Sequence, residues 1–349
     1  MITITPSGIK DYLFCPWKYK LSRQIPKLVI PASPESVLGE TIHDAINRFL
    51  YQILNDNQRM QKARAKRLAQ GKNDVYFYQS AGSFLRFSAG LIIEAFKGAD
   101  SQSTLIRRKQ NIRWPENATE EEIVALKEKF LLMGLAMLRD YYRANLGKPA
   151  PFLREQSIKV SLSEEISPGI MLSGRIDQAR RNSQSQVYIV DLKTGFDRLE
   201  WQLSRIANSE AAALTLLEID PQISAYWMLY EKIFGEPPYR AGFYYLRNGK
   251  HYFAKRTPAQ IESFLMMIRL ILMTGERELF LPLGMNDQRC RYCDYRDHCK
   301  HFKQTEKIEP LTIEEIEEGL PETDQLKDKL AEEFKESDYQ QLRLKLRAR

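Results

Sequence analysis

Several common sequence features are missing from this chain of 349 residues, and each absence excludes a class of protein. No run of about 18 uncharged apolar residues is present, so the sequence predicts no membrane-spanning helix. The first residues, MITITPSGIKDY, lack the basic stretch and apolar core of a secretory signal, which favours a cytoplasmic location. No GxxxxGK[ST] motif occurs, so we expect no ATP hydrolysis through a P-loop.

Cysteine is scarce, and its distribution is uneven. One cysteine lies near the start and three lie in the segment CRYCDYRDHC: Cys15, Cys290, Cys293 and Cys299. The last three have the C-x2-C-x5-C spacing of metal ligands, and no cysteine is left over. A site that uses all four thiols would join the two ends of the chain and would hold zinc or an iron–sulfur cluster.

Other interpretations of the cysteines remain open. Two disulfides fit poorly, because no secretory signal is present and a chain of this length does not need them for stability. Unligated buried thiols are a second alternative. His298, which directly precedes Cys299, could serve as a zinc ligand and is the main argument for zinc over a cluster.

Acidic residues are too few to balance the basic ones. The chain has 52 Lys and Arg against 45 Asp and Glu, a net charge of +7. Residues 51–150 hold 17 of the cations and 10 of the anions, so this segment accounts for the whole excess. We expect a basic helical insertion here that binds nucleic acid, with Arg64, Lys66 and Arg67 among the contacts. Aromatic residues lie among these cations, but their spacing also fits a helix core.

Hydrophobic spacing predicts helices first and strands later. Apolar residues recur at helical spacing in residues 36–55 and, with a polar interruption, from about 60 to 145. The pattern then changes to segments rich in Ile and Val that are separated by turn signals. The predicted strands are 154–164, 170–181, 186–193, 240–247 and 251–256, and the predicted helices among them are 220–234 and 258–274. This order indicates an α/β fold with a short mixed sheet flanked by helices.

Two neighbouring predicted strands carry acidic residues in an apolar context. Asp177 lies near the end of one strand, and the next strand contains Asp191 and Lys193 after a run of Val and Ile. Alternate residues of a strand face the same side, so Asp191 and Lys193 project together beside Asp177. Buried carboxylates are costly unless they bind a cation or a partner, and with His43 they would suit Mg2+ or Mn2+. The alternative is an ion pair in a buried hairpin.

The order of these residues resembles the PD-(D/E)XK nuclease superfamily. The RecB-like branch of that superfamily has a helix His, then GxxD, DxK and QxxxY motifs, which match His43, Asp177, Asp191–Lys193 and Gln222–Tyr226. The flanking cysteines are similar to those of iron–sulfur members of the branch, such as the AddB nuclease domain and the CRISPR-associated RecB-like exonucleases. The resemblance implies a restriction-endonuclease-like core with a helical insertion and an iron–sulfur clasp joining the termini.

The resemblance also assigns roles to individual residues. Lys193 would be the catalytic lysine, and Gln222 and Tyr226 would face the scissile phosphate. The four cysteines would hold a 4Fe-4S cluster. Glu155 could support the cation ligands indirectly, although an exposed charge at the end of a strand is the simpler interpretation. The implied ligands of Mg2+ or Mn2+ are His43, Asp177, Asp191 and the backbone carbonyl of Leu192.

These expectations divide the chain and define its function. Residues 1–50 and 151–305 would form the nuclease core, 51–150 the insertion and 306–349 a charged helical tail. We expect a metal-dependent DNA exonuclease that acts on single-stranded ends in DNA repair, recombination or CRISPR adaptation, with a helicase or CRISPR integration proteins as partners. The alternative is a catalytically silent nucleic-acid-binding subunit of such a complex, and a zinc-binding transcription factor ranks last.

Overall fold

A mixed β-sheet lies at the centre of the computed structural model. The structure describes residues 1–25, 30–69, 89–100, 111–115, 117–146, 148–195, 217, 219–283, 290, 293–302, 312–317 and 320–335. The strands are β1 (Ile2–Ile4), β2 (Leu153–Ser161), β3 (Ile170–Arg181), β4 (Val187–Lys193), β5 (Arg240–Tyr245) and β6 (Lys250–Ala254). Strands β2 to β6 agree closely with the five predicted strands, whereas the sequence pattern does not predict the short β1.

Helices cover both faces of this sheet. They are α1 (Pro6–Phe14), α2 (Pro16–Gln24), α3 (Pro34–Ala69), α4 (Ala89–Asp100), α5 (Glu120–Ala144), α6 (Pro221–Phe234), α7 (Pro258–Glu276), α8 (Ile313–Glu317) and α9 (Thr323–Ala331). Thr119, Asp220 and Thr257 begin α5, α6 and α7 by accepting hydrogen bonds from backbone N–H groups of the first turn. Within the described residues, no helix is both long and apolar enough to cross a bilayer.

Strand β3 organises the sheet, because it has different partners along its length. On one side it pairs with antiparallel β2 from Met171 to Ala179. On the other side, parallel β1 takes Ile170–Leu172 and antiparallel β4 takes Gln178–Arg181. Between these two pairings, the described residues include no strand partner for 173–177 on that side. The sheet therefore has a fork where β3 and β4 separate, just after the Gln178–Val190 pair.

Two hydrophobic layers hold the fork in place. On one face, α3 and α5 pack against alternate residues of β4 and β5, including Val190, Leu192 and Tyr244, and α4 and α9 pack against these helices. On the other face, α1, α6 and α7 pack against the residues between them, such as Ile189 and Phe243. The fork can therefore receive side chains from both helical layers.

Helix α3 links the core to the basic segment. It runs for 36 residues and crosses residue 50 without a break. Its first part packs against the sheet, as does α5 from the same basic segment, and α4 packs against both helices. The predicted α/β class, a mixed sheet flanked by helices, is confirmed. The domain limits and the clasp between the termini stay predictions.

Candidate active site

A pocket of about 960 Å³ opens at the fork between β3 and β4. Residues from α1, α3, β2, β3, β4 and α6 line it. Two glycines allow the elements to come this close. A side chain at Gly39 would meet Thr194 Oγ1 at 2.8 Å, and one at Gly174 would meet Leu229 Cδ1 at 2.7 Å. Gly39 thus brings α3 to the end of β4, and Gly174 is the glycine of the GxxD sequence.

His43 reaches the fork from α3. Its Nε2 lies 3.0 Å from the backbone carbonyl oxygen of Leu192. A carbonyl only accepts, so this contact places the ring proton on Nε2 and leaves the Nδ1 lone pair free to bind a cation when the ring is neutral. Leu192 O, which the resemblance assigns to the cation, is therefore engaged by His43.

Two carboxylates face His43 Nδ1. Asp177 Oδ2 lies 3.5 Å away and Glu155 Oε1 3.6 Å away. The three ligand atoms lie within 4.8 Å of one another. Although it is buried, His43 Nδ1 has no hydrogen-bond partner among the described residues. One nitrogen and two carboxylates suit a divalent cation, so His43, Glu155 and Asp177, here called the His43 triad, fit Mg2+ or Mn2+.

Glu155 was not expected in this position. The register of β2 and β3 sets it directly opposite Asp177, between the Arg154–Gln178 and Gln156–Ile176 pairs. Its backbone has a φ of 44°, a left-handed conformation that a residue with a side chain rarely adopts, and its side chain is only 17 % exposed. Such strain is common at functional sites. The exposed strand-end charge expected from the sequence is therefore not what the structure has.

Burial and the neighbouring charges shift the pKa values of the triad. Burial raises the pKa of Asp177 to about 7, although the charge of His43 opposes that rise. Burial alone would lower the pKa of His43, but the carboxylates of Asp177 and Glu155 outweigh it and raise the pKa to about 9. Without a cation, protons therefore occupy this group at neutral pH.

A second set of residues, here called the Asp191 network, lies beside the triad. Asp191 Oδ2 contacts Lys193 Nζ at 2.5 Å. Asp191 Oδ1 accepts hydrogen bonds from Gln222 Nε2 and Tyr226 OH, each at 2.8 Å. Gln222 Oε1 in turn accepts from Lys193 Nζ at 3.0 Å, which closes the network. The predicted residues Asp191, Lys193, Gln222 and Tyr226 thus meet in one place, and their catalytic roles stay predictions.

The Asp191 network keeps its charges ionised. Burial would raise the pKa of Asp191, but Lys193 beside it lowers the pKa below the ordinary aspartate value. Burial would lower the pKa of Lys193, but the adjacent Asp191 raises it. Lys193 therefore carries its proton at neutral pH and is a cationic hydrogen-bond donor. Asp191 lies outside the closely spaced His43 triad, so its part in holding a cation stays a prediction.

The four cysteines form no disulfide in the described part of the chain, and all four line one pocket. Cys15 caps the end of α1 and the start of α2, and Cys293 and Cys299 flank a short turn, Arg296–His298. Burial raises the pKa of Cys293 to about 11. The structure thus places Cys15 beside the C-terminal cysteines, and the group that the thiols hold stays a prediction. The pocket is lined by all four thiols and by Phe14, Trp17 and Leu21 among others.

The three basic residues proposed as nucleic-acid contacts lie on the second half of α3. The backbone of Arg64, Lys66 and Arg67 is helical. Their side chains lie outside the described residues.

Comparison with known families identifies the chain's superfamily. A model of the PD-(D/E)XK nuclease superfamily matches residues 3–300, most of the 349 residues. The chain therefore belongs to the PD-(D/E)XK nuclease superfamily, a class of metal-dependent nucleases. No curated protein matches it.

Replacement of Glu155 by Gln should weaken Mn2+ binding by at least about tenfold, because even residues that only support metal ligands contribute about 10- to 100-fold to affinity. Isothermal titration calorimetry of Mn2+ into each purified protein measures the Mn2+ affinity. Glu165→Gln is the matched control, since Glu165 is a similarly enclosed carboxylate that pairs with Lys232 away from the pocket. Equal Mn2+ affinity in Glu155→Gln and wild type would remove Glu155 from the ligand set.

The same titrations should depend on pH in a defined direction. Protons on Asp177 and His43 compete with the cation, so affinity should rise as pH increases through about 7 and again through about 9. Affinity that is constant across this window would contradict the triad as the binding group.

Proposed function

We propose that the protein is a metal-dependent exonuclease of the RecB-like branch that degrades DNA from single-stranded ends. The observation that carries the proposal is the meeting of the His43 triad and the Asp191 network in one pocket. Superfamily membership supports phosphodiester hydrolysis. The order of the His, GxxD, DxK and QxxxY sequences supports the finer assignment to the branch.

The two groups divide the reaction between them. The His43 triad would hold Mg2+ or Mn2+, which when bound polarises the phosphodiester and promotes ionisation of a water molecule. Lys193 directs its charge and N–H groups at the phosphate oxygens, where negative charge grows in the transition state. Asp191 orients that ammonium, and Gln222 and Tyr226 hold Asp191.

The preference for single-stranded ends is part of this proposal and rests on the resemblance of the motifs to the RecB-like branch. The pocket opens into a gap between two strands of one sheet, and its volume of about 960 Å³ is at the upper end of ordinary ligand sites. Because the sequence has no P-loop, unwinding would come from a partner, and we propose a helicase or CRISPR integration proteins in that part.

One observation favours the second candidate function, a silent nucleic-acid-binding subunit. Asp191 is fully engaged by Lys193, Gln222 and Tyr226, as it would be in a structural ion pair. The retention of the complete Asp191 network next to a cation-binding triad favours the enzyme.

Asp191→Asn and Lys193→Ala should each lower the rate of Mg2+- or Mn2+-dependent DNA cleavage by at least about 100-fold, because each removes charge stabilisation of the transition state. Single-turnover cleavage of end-labelled single-stranded and duplex DNA measures the rate and the strand preference. Lys232→Ala, which breaks an ion pair on α6 away from the pocket, is the matched control. A folded Asp191→Asn protein that cleaves like wild type would support the silent subunit instead.

We also propose that Cys15, Cys290, Cys293 and Cys299 hold a 4Fe-4S cluster that fastens the two ends of the chain together. Their shared pocket supports this, as do its apolar walls and the all-thiol donor set. Burial alone would keep Cys293 protonated, and bound iron would stabilise its thiolate instead.

Cys15→Ser and Cys293→Ser should each lose iron, sulfide and the broad absorbance near about 400 nm, and should melt at lower temperature. Iron and sulfide analysis of anaerobically purified protein measures this. His298→Ala is the matched variant, because it should keep the cluster but lose the metal if His298 were a zinc ligand. Full iron and sulfide content in Cys15→Ser would overturn the clasp.

Finally, we propose that the second half of α3 extends the nucleic-acid path. Arg64 lies 21 positions beyond His43, which is about 30 Å along one helix. Replacing Arg64, Lys66 and Arg67 together by Ala should flatten the salt dependence of single-stranded DNA binding by about two units of slope, since each phosphate contact contributes about 0.7. Fluorescence anisotropy across a salt series measures the slope.

A triple variant with the same change of charge elsewhere on the surface is the control for that measurement. An equal loss of slope in both variants would show a general charge effect, and an unchanged slope in the α3 variant would leave this segment as a packing or docking element. The control residues are Lys159, Lys232 and Arg269.

A further inference from the structure

A second lysine shares the environment of Lys193. Lys10 comes from α1, and its Nζ lies 2.5 Å from Gln222 Oε1, the atom that also accepts from Lys193 Nζ at 3.0 Å. Since both contacts end on one oxygen atom, the two ammonium nitrogens are at most 5.5 Å apart, the sum of those two distances. No sequence motif predicts Lys10, because 212 positions separate it from Gln222.

One aromatic ring supports both lysines. Lys193 Nζ lies 4.7 Å and Lys10 Nζ 5.5 Å from the centroid of the Phe243 ring. Phe243 is buried in β5 directly opposite Asp191. The electron-rich face of a ring stabilises cations, and here it forms a common base for two of them. Lys10 and Lys193 therefore belong to one arrangement in the pocket and are not two independent surface charges.

The carboxylate next to Lys10 only partly neutralises it. Asp220 Oδ2 lies 3.6 Å from Lys10 Nζ, a loose ion pair. The other oxygen of Asp220 is used to cap α6, where it accepts from the backbone N–H groups of Gln222 and Ile223. Lys193, in contrast, is held tightly by Asp191 at 2.5 Å. The Lys10 side chain is 41 % exposed and lines the pocket, so its charge is available to an incoming anion.

We propose that Lys10 is a second phosphate-binding residue of this site, which contacts the nucleic-acid backbone beside Lys193. The proposal rests on the nuclease function proposed above. Lys10 lies on the α1 and α6 side of Lys193, whereas the His43 triad lies on α3, β2 and β3. With a scissile phosphate between the triad and Lys193, Lys10 therefore meets the neighbouring phosphate of the same strand. Lysine binds phosphate as a compact point charge, and two such charges at this separation suit successive phosphates.

Lys10→Ala should raise the KM for single-stranded DNA about tenfold or more, as expected for loss of a hydrogen bond to a charged group, with a smaller change in kcat. It should also flatten the salt dependence of binding by about 0.7 units of slope, measured by anisotropy in Ca2+ with a labelled oligothymidylate. Lys10→Arg should restore the slope. Lys232→Ala, a lysine of α6 paired to Glu165 away from the pocket, should leave both quantities unchanged.

The possible outcomes distinguish failure of the proposed nuclease function from failure of the proposed role of Lys10. If wild type neither cleaves nor binds DNA, the nuclease function fails and the role of Lys10 fails with it. If wild type cleaves DNA and Lys10→Ala retains the wild-type slope and KM, only the role of Lys10 is overturned. If Lys10→Ala lowers the melting temperature and kcat while the slope stays at the wild-type value, Lys10 merely fastens α1 to α6, and the proposal is likewise overturned.

Discussion

The active pocket depends on one hydrogen bond at the fork of the sheet. Where β3 and β4 separate, the backbone N–H of Leu192 donates to Asp177 Oδ2 at 2.8 Å. A side chain thus takes the place of the backbone acceptor that a continuous ladder would supply, and the contact satisfies a buried donor. A hydrogen bond to a charged group contributes about 1.5–3 kcal/mol. Together with the two hydrophobic layers, this contact keeps β3 and β4 apart and places Asp177 beside His43.

Two groups with different charge arrangements, the His43 triad and the Asp191 network, lie side by side at the fork. The His43 triad gathers two carboxylates around one imidazole. Burial raises the pKa of Asp177 in spite of the nearby imidazole, and the two carboxylates raise the pKa of His43 in spite of burial. The Asp191 network, by contrast, pairs each charge with an opposite one. Desolvation penalises both groups, but only the triad is left dependent on protons or a cation to relieve the repulsion. The His43 triad therefore needs protons or a cation from solution, whereas the charges of the Asp191 network neutralise one another.

Much of this site could be predicted from the sequence, because strand periodicity places Asp191 and Lys193 on one face and Gln222 and Tyr226 lie one turn apart on a helix. The sequence suggests Glu155 only as an indirect support; its direct place in the His43 triad could not be predicted, since its direction depends on a left-handed backbone at φ 44° that alternation does not predict. Lys10 could not be found either, because its contacts join α1 to α6 across the fold. Short β1 escapes notice for a similar reason: three residues carry too little periodicity, and their strand form depends on pairing with β3.

Cys15 lies at the junction between helices α1 and α2. It caps the C-terminal end of α1 and the N-terminal end of α2, and Lys10 lies five positions earlier on α1, about 7.5 Å along its axis. A displacement of this thiol would therefore be carried along α1 towards Lys10 and the pocket at the fork. The cysteine pocket and the pocket at the fork share one helix, although they share no lining residue among those that the structure describes.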